Sequence, residues 1–221
     1  DDGAFGAAGN AVNVNSGNNG DAGLLLLENT GGGVKTFARN ITANLGSNAS
    51  GGDTGFGSWG GLVEYNGTLT ITGGTNNNTR RMPIYVHDGV LSHGTGATIV
   101  NNHIQAGSFT YHKQGLGAWD VRNLDFQGGT KTDFNILLQR GTLIFDSASQ
   151  LNSGTVALND LFNSTDTTSP RTLAVRGSDA TLVSPTSGSF SMNLAVDVEA
   201  GRTFTMDMGG NTLITREIGP N

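Results

Sequence analysis

The sequence predicts an all-β fold of the β-solenoid kind, and three observations carry that expectation. The chain of 221 residues holds 35 glycines and only 14% charged and 7% aromatic residues, with abundant Asn, Thr and Ser. Gly and Asn tolerate tight turns while Thr, Val and Ile suit pleated strands, so this mixture reads as many short strands joined by many turns. The hydrophobic residues, 35% of the chain, arrive in spaced clusters such as 24–27, 69–71, 136–138 and 143–145. A short unit of small residue, Thr, apolar residue, any residue, apolar residue also recurs along the chain.

The clearest copies of that unit are Gly67-Thr68-Leu69-Thr70-Ile71, Gly141-Thr142-Leu143-Ile144-Phe145 and Arg171-Thr172-Leu173-Ala174-Val175. Looser copies begin at Ala180, Gly201 and Asn211. Alternation puts Leu69 and Ile71 on one strand face and Thr68, Thr70 and Thr72 on the other. Leu69, Ile71, Leu143, Phe145, Leu173, Val175, Phe204 and Met206 are therefore expected to form the core. Such strands are too short to stand alone, but stacking in parallel lets each bury its apolar face on its neighbours. An antiparallel sandwich is the competing architecture, and Asn66-Gly67 and Asp88-Gly89 are the dipeptides that would serve its hairpins. Most other connections are longer, with 44–58, 73–81 and 163–171 expected as protruding loops. No linker divides the chain, so residues 1–221 read as one solenoid domain, with 1–20 as a flexible or assembly segment.

The stretch Gly61-Leu62-Val63-Glu64-Tyr65-Asn66-Gly67-Thr68-Leu69-Thr70-Ile71-Thr72-Gly73-Gly74-Thr75-Asn76 resembles the signature of autotransporter-associated β-strand repeats. Ile84-Tyr85-Val86-His87-Asp88-Gly89-Val90-Leu91 is similar to the closing part of that repeat, and residues 196–206 are similar to a strand pair found beside it. Phe37-Ala38-Arg39-Asn40-Ile41-Thr42 is a weaker echo. Glu64-Tyr65-Asn66-Gly67 departs from the Lys-x-Gly-x-Gly of the signature, and the sequence given contains no outer-membrane barrel. The resemblance implies a right-handed parallel β-helix exposed at or released from a bacterial surface, serving as stalk, adhesin or matrix material.

Charge and composition exclude other classes. A net charge of −6 and a pI near 5.0 leave no basic stripe for nucleic acid. The absence of cysteine removes disulfides and thiolate chemistry and suits exported bacterial proteins. No apolar run is long enough for a membrane-spanning helix. A start on Asp1-Asp2-Gly3 is what a processed chain or an excised fragment would show.

The densest set of chemistry-bearing residues comprises His103, His112, Lys113, Trp119, Asp120, Arg122, Asp125 and Asp133. Clustered carboxylates with Arg or Lys, beside an aromatic that stacks on a sugar, would suit a polysaccharide lyase or glycoside hydrolase. If residues 119–121 are extended, Asp120 and Arg122 share a face and an ion pair is the competing role. The expected reading is solvated polar residues on a solenoid edge, with no catalytic, cofactor or metal site. His87, His93, His103 and His112 match no compact ligand spacing and are expected at the surface. The Gly51–Gly57 turn around Asp53 is similar to calcium-binding nonapeptide turns but does not repeat. The sequons at Asn40, Asn48, Asn66, Asn77 and Asn163 are what an Asn/Thr/Ser-rich chain produces by chance. The expected function is a non-catalytic extracellular structural or surface protein that self-associates. A homo-oligomer or homopolymer is the expected assembly, and a surface polysaccharide is the alternative partner.

Overall fold

The computed structural model describes residues 10–15, 23–45, 54–73, 81–102, 109–128, 134–158, 170–183, 189–192, 194–209 and 212–215. Every regular element among them is a strand. The first coil comprises β1 (Val12–Asn15), β2 (Leu24–Glu28) and β3 (Val34–Phe37), and the second β4 (Ile41–Asn44), β5 (Gly55–Trp59) and β6 (Leu62–Tyr65). The third is β7 (Thr68–Thr72), β8 (Arg81–Val86) and β9 (Val90–His93), and the fourth β10 (Thr98–Asn101), β11 (Phe109–Gln114) and β12 (Ala118–Asp120). The fifth is β13 (Asp125–Gly128), β14 (Phe134–Leu138) and β15 (Gly141–Phe145), followed by β16 (Val156–Leu158) and β17 (Arg171–Val175). Then come β18 (Ala180–Val183), β19 (Ser189–Met192), β20 (Ala195–Val198), β21 (Phe204–Asp207) and β22 (Thr212–Thr215).

Every strand pairing is parallel and joins counterparts in successive coils. Three sheets result, which we label A (β1-β4-β7-β10-β13), B (β16-β14-β11-β8-β5-β2) and C (β20-β17-β15-β12-β9-β6-β3), with the pairs β18-β21 and β19-β22 beyond them. The β-solenoid expected from the repeats is the fold observed, and the sandwich is excluded by the parallel pairing. Asn66-Gly67 joins a strand of sheet C to one of sheet A, and Asp88-Gly89 one of sheet B to one of sheet C, so neither makes a hairpin.

Register turns the period-two pattern of each strand into columns running along the axis. Ile41, Leu69, Ile99 and Phe126 stack inside sheet A, and Val63, Leu91, Trp119, Leu143 and Leu173 inside sheet C. Of the eight core residues expected, Leu69, Ile71, Leu143, Phe145, Leu173 and Val175 are fully buried, while Phe204 and Met206 pack half-buried against the cluster. The inward apolar columns make this core continuous from coil to coil.

Two corner devices keep the coils in register. At the turn from sheet B to sheet C, Gly61, Gly89, Gly117 and Gly141 lie one above another. A Cβ on Gly89, whose φ is 69°, would drive into the Gly61 carbonyl, and one on Gly117 would meet the Gly89 carbonyl at 2.8 Å. At the turn from sheet C to sheet A, side-chain carboxamides cap the next coil. Asn40 Oδ1 accepts from the Thr68 N–H at 3.0 Å, and Asn66 Oδ1 from the Gly94 N–H at 2.8 Å.

Sheet A is interrupted above β13, where the segment 146–155 forms turns instead of a strand. Its side chains replace the missing ladder. Gln150 mimics a peptide unit, its Oε1 accepting from the Phe126 N–H at 2.6 Å and its Nε2 donating to the Phe126 carbonyl at 3.3 Å. On the other side, Asn152 Oδ1 accepts from the Thr181 N–H of β18.

The expected loops need correction. Within 44–58, residues 55–58 belong to β5, because Phe56 and Ser58 face inward while Gly55 and Gly57 allow the neighbouring strands to close over the backbone. Arg81 and Arg171 begin strands, whereas 74–80 and 163–169 lie outside the described residues. So does most of 1–20, although 12–15 form β1.

Candidate functional site

The eight residues singled out as a catalytic candidate set do not converge. His103 and Asp133 lie outside the described residues. His112 faces outward from sheet B, Asp120 from sheet C and Asp125 from sheet A, which are three different sides of the coil. Lys113, Trp119, Asp120, Arg122 and Asp125 also have hydrogen bonds engaged within the scaffold.

Asp120 and Arg122 form the ion pair that their spacing allows. Nη2 donates to Oδ2 at 2.7 Å and Nε to Oδ1 at 2.9 Å, while Oδ1 also accepts from the Arg122 backbone N–H. The hydrogen bonds to Asp120 raise the Arg122 guanidinium further above its already high range. Asp125 accepts from Gln127 Nε2 at 2.7 Å and from Gln150 Nε2 at 3.2 Å, so it braces the interrupted part of sheet A.

Trp119 is not an exposed sugar platform. It is wholly buried in the inner column of sheet C, packed edge-on against Phe126 at 6.2 Å between ring centroids. Its indole N–H donates to His93 Nε2 at 2.9 Å. His93 was expected at the surface, but it alternates with Leu91 along β9 and therefore faces inward. Because Trp can only donate, Nε2 must be an acceptor and the ring is the neutral Nδ1–H tautomer, turned toward the Tyr65 backbone. Burial outweighs the opposing pull of Asp120 and lowers the imidazole to about 4.

Lys113 likewise shares the inner face of β11 with Phe109 and Tyr111, in the column Phe56–Ile84–Lys113–Leu138. Its Nζ donates to the carbonyls of Gln114 (2.9 Å), Gly115 (3.0 Å) and Arg140 (3.0 Å), tying the fourth coil to the fifth. Burial draws the ammonium down to about 7. Three acceptors nevertheless match the three donors of the charged form, whereas a neutral amine offers two. Tyr111 is buried beside it, and burial raises its phenol.

Asp53, the candidate calcium ligand, lies outside the described residues, and Gly55-Phe56-Gly57 of the same turn is strand. Among the described residues no three metal-binding side chains come together, and no helix is long and apolar enough to cross a membrane.

The surface feature that sequence reasoning missed is an apolar ridge at the corner between sheets B and C. Val34, Trp59, Leu62 and Leu116 are 60%, 44%, 45% and 64% exposed, and all four lie at this corner. Val34, Leu62, Val90 and Ala118 form one outward column of sheet C. Beside it run Trp59, His87 and Leu116. The Trp59 and His87 rings stack at 3.8 Å and 8°, and the Leu116 N–H donates to the His87 carbonyl at 3.1 Å. Asp88 flanks this column, its Oδ1 accepting from the Gly60 N–H at 2.7 Å and lying 3.2 Å from His87 Nδ1. The Gly60 N–H first and His87 second hold its carboxyl below the usual range. The available signal was Trp59 and Leu62 flanking the Gly60-Gly61 turn. No protein-family model, curated protein or solved structure matches this chain.

Proposed function

We propose that this chain is a non-catalytic, self-associating structural protein of bacterial surfaces. The observation that carries the reading is the structural engagement of its chemistry-bearing residues: Asp120 is locked to Arg122, Lys113 is held by three carbonyls, and Trp119 and His93 are bonded to each other inside the core. A catalytic carboxylate or lysine needs a face open to substrate and a proton it can exchange. Lys113 and the His93–Trp119 pair bridge successive coils, and Asp120 and Arg122 fix the turn after β12.

Self-association draws support from apolar side chains left partly exposed: Val196, Val198, Phe204 and Met206 pack only half-buried against the core.

The test is a screen of the purified chain against acidic and neutral polysaccharides, run beside negative-stain microscopy. The reading expects no cleavage by the wild type and assembled particles on the grid. Turnover that disappears in Asp120→Asn or Asp125→Asn would overturn it in favour of a polysaccharide-cleaving enzyme.

A further inference from the structure

We infer that the ridge between sheets B and C pairs with the same ridge of a second, antiparallel copy of this chain. This deepens the self-association half of the proposed function by naming the surface and the symmetry. A contiguous exposed apolar patch in an otherwise polar chain marks an interaction surface.

The occupant follows from the order of residues along the ridge. The column Trp59–His87–Leu116 is continued below by Glu28, which pairs with Trp59 in register and is exposed. One coil above Leu116 it is continued by Arg140, exposed at the same corner, whose backbone N–H donates to the Lys113 carbonyl. Five successive coils therefore present an anion, an aromatic, an imidazole, an aliphatic residue and a cation. A two-fold axis at the central His87 sets Glu28 of one copy against Arg140 of the other, twice, and each Trp59 against a Leu116.

The adjacent column obeys the same axis. Val34, Leu62, Val90, Ala118 and Thr142 occupy the same five coils. Reversal places bulky Leu62 opposite small Ala118 and Val90 opposite itself. The spacing between coils, about 4.8 Å, is the distance between paired strands and is identical in any copy, so the columns stay matched over the whole contact. An isologous contact of this kind closes on itself, unlike one between solenoid ends. The net charge of −6 would oppose approach of a second copy elsewhere, while the ridge brings opposite charges together at both ends.

Sedimentation equilibrium over a concentration series tests this with four variants. The wild type is expected to dimerise. Glu28→Arg alone and Arg140→Glu alone each place like charges opposite one another and are expected to weaken the dimer about tenfold. The double variant restores opposite charges and is expected to recover wild-type association, which a merely local structural role would not produce. Leu62→Asp abolishes dimerisation, with thermal melts confirming that each variant folds. A chain that associates regardless of all four changes overturns the ridge while leaving self-association standing. A strictly monomeric wild type overturns both, and failure of the double variant to recover overturns the antiparallel pairing.

Discussion

Acid should weaken this fold through one buried imidazole. His93 accepts the Trp119 indole N–H at 2.9 Å inside the core, and its pKa falls from 6.5 to about 4 on folding. The unfolded chain takes up a proton at 6.5 that the folded chain refuses until about 4, so the stabilising difference is fully present above 6.5. It is lost as pH falls through the window between those values. The gap between 6.5 and about 4, at 1.36 kcal/mol per unit, corresponds to about 3 kcal/mol, a large share of a typical domain's stability. Asp120 is the charged group that opposes the shift, and Tyr65 contributes the backbone facing the ring. The assay is urea unfolding followed by tryptophan fluorescence at pH 7.5, 6.0, 5.0 and 4.0, for the wild type and for His93→Gln. Glutamine keeps an acceptor for Trp119 but does not titrate, so the difference between the two chains isolates His93 from the other histidines and the carboxylates. The wild type should lose about 3 kcal/mol more than the variant between pH 7.5 and 4.0. Parallel curves for the two chains would refute the buried, neutral assignment.

Truncating Leu69 or Leu143 to Ala should cost about 2–5 kcal/mol each in the same denaturation assay, since both are fully buried in continuous columns. Gly89→Ala should destabilise by more than about 1 kcal/mol, because it adds a Cβ at positive φ directly against the Gly61 carbonyl; unchanged stability would show that the corner column is not packed as described. Gln150→Leu leaves both the N–H and the carbonyl of Phe126 without the carboxamide and should cost about 1–3 kcal/mol, with faster amide exchange at Phe126 as its local signature.

The strands were legible because their apolar residues alternate. Thr68–Thr72 and Gly141–Phe145 announce both their existence and their inward faces. The same rule applied further would have turned Lys113 and His93 inward, since each lies two residues from a core aromatic or leucine on its own strand. They were expected outside because charge and polarity were weighed above position. What no reading of one strand could supply is the partner across coils. Trp119 reaches His93 across 26 residues and Asn40 reaches Thr68 across 28, and such spacings depend on coil lengths that the varying loops disguise. The ridge was hidden for the same reason: Val34, Leu62 and Val90 are far apart in sequence and become one stripe only through parallel register. In β5, glycines that signalled a loop permit close strand packing instead.

The break in sheet A has a mechanical meaning. In a stack whose ladder bonds all point along its axis, tension applied at the two ends is carried in series, so the weakest level sets the strength of the whole. Between β13 and β18 the wall of sheet A narrows to the carboxamides of Gln150 and Asn152, and the ladder of sheet B ends at β16. Under such tension the chain would part there first. The coils from β1 to β13 would stay intact below the rupture, as a fuse protects the circuit behind it.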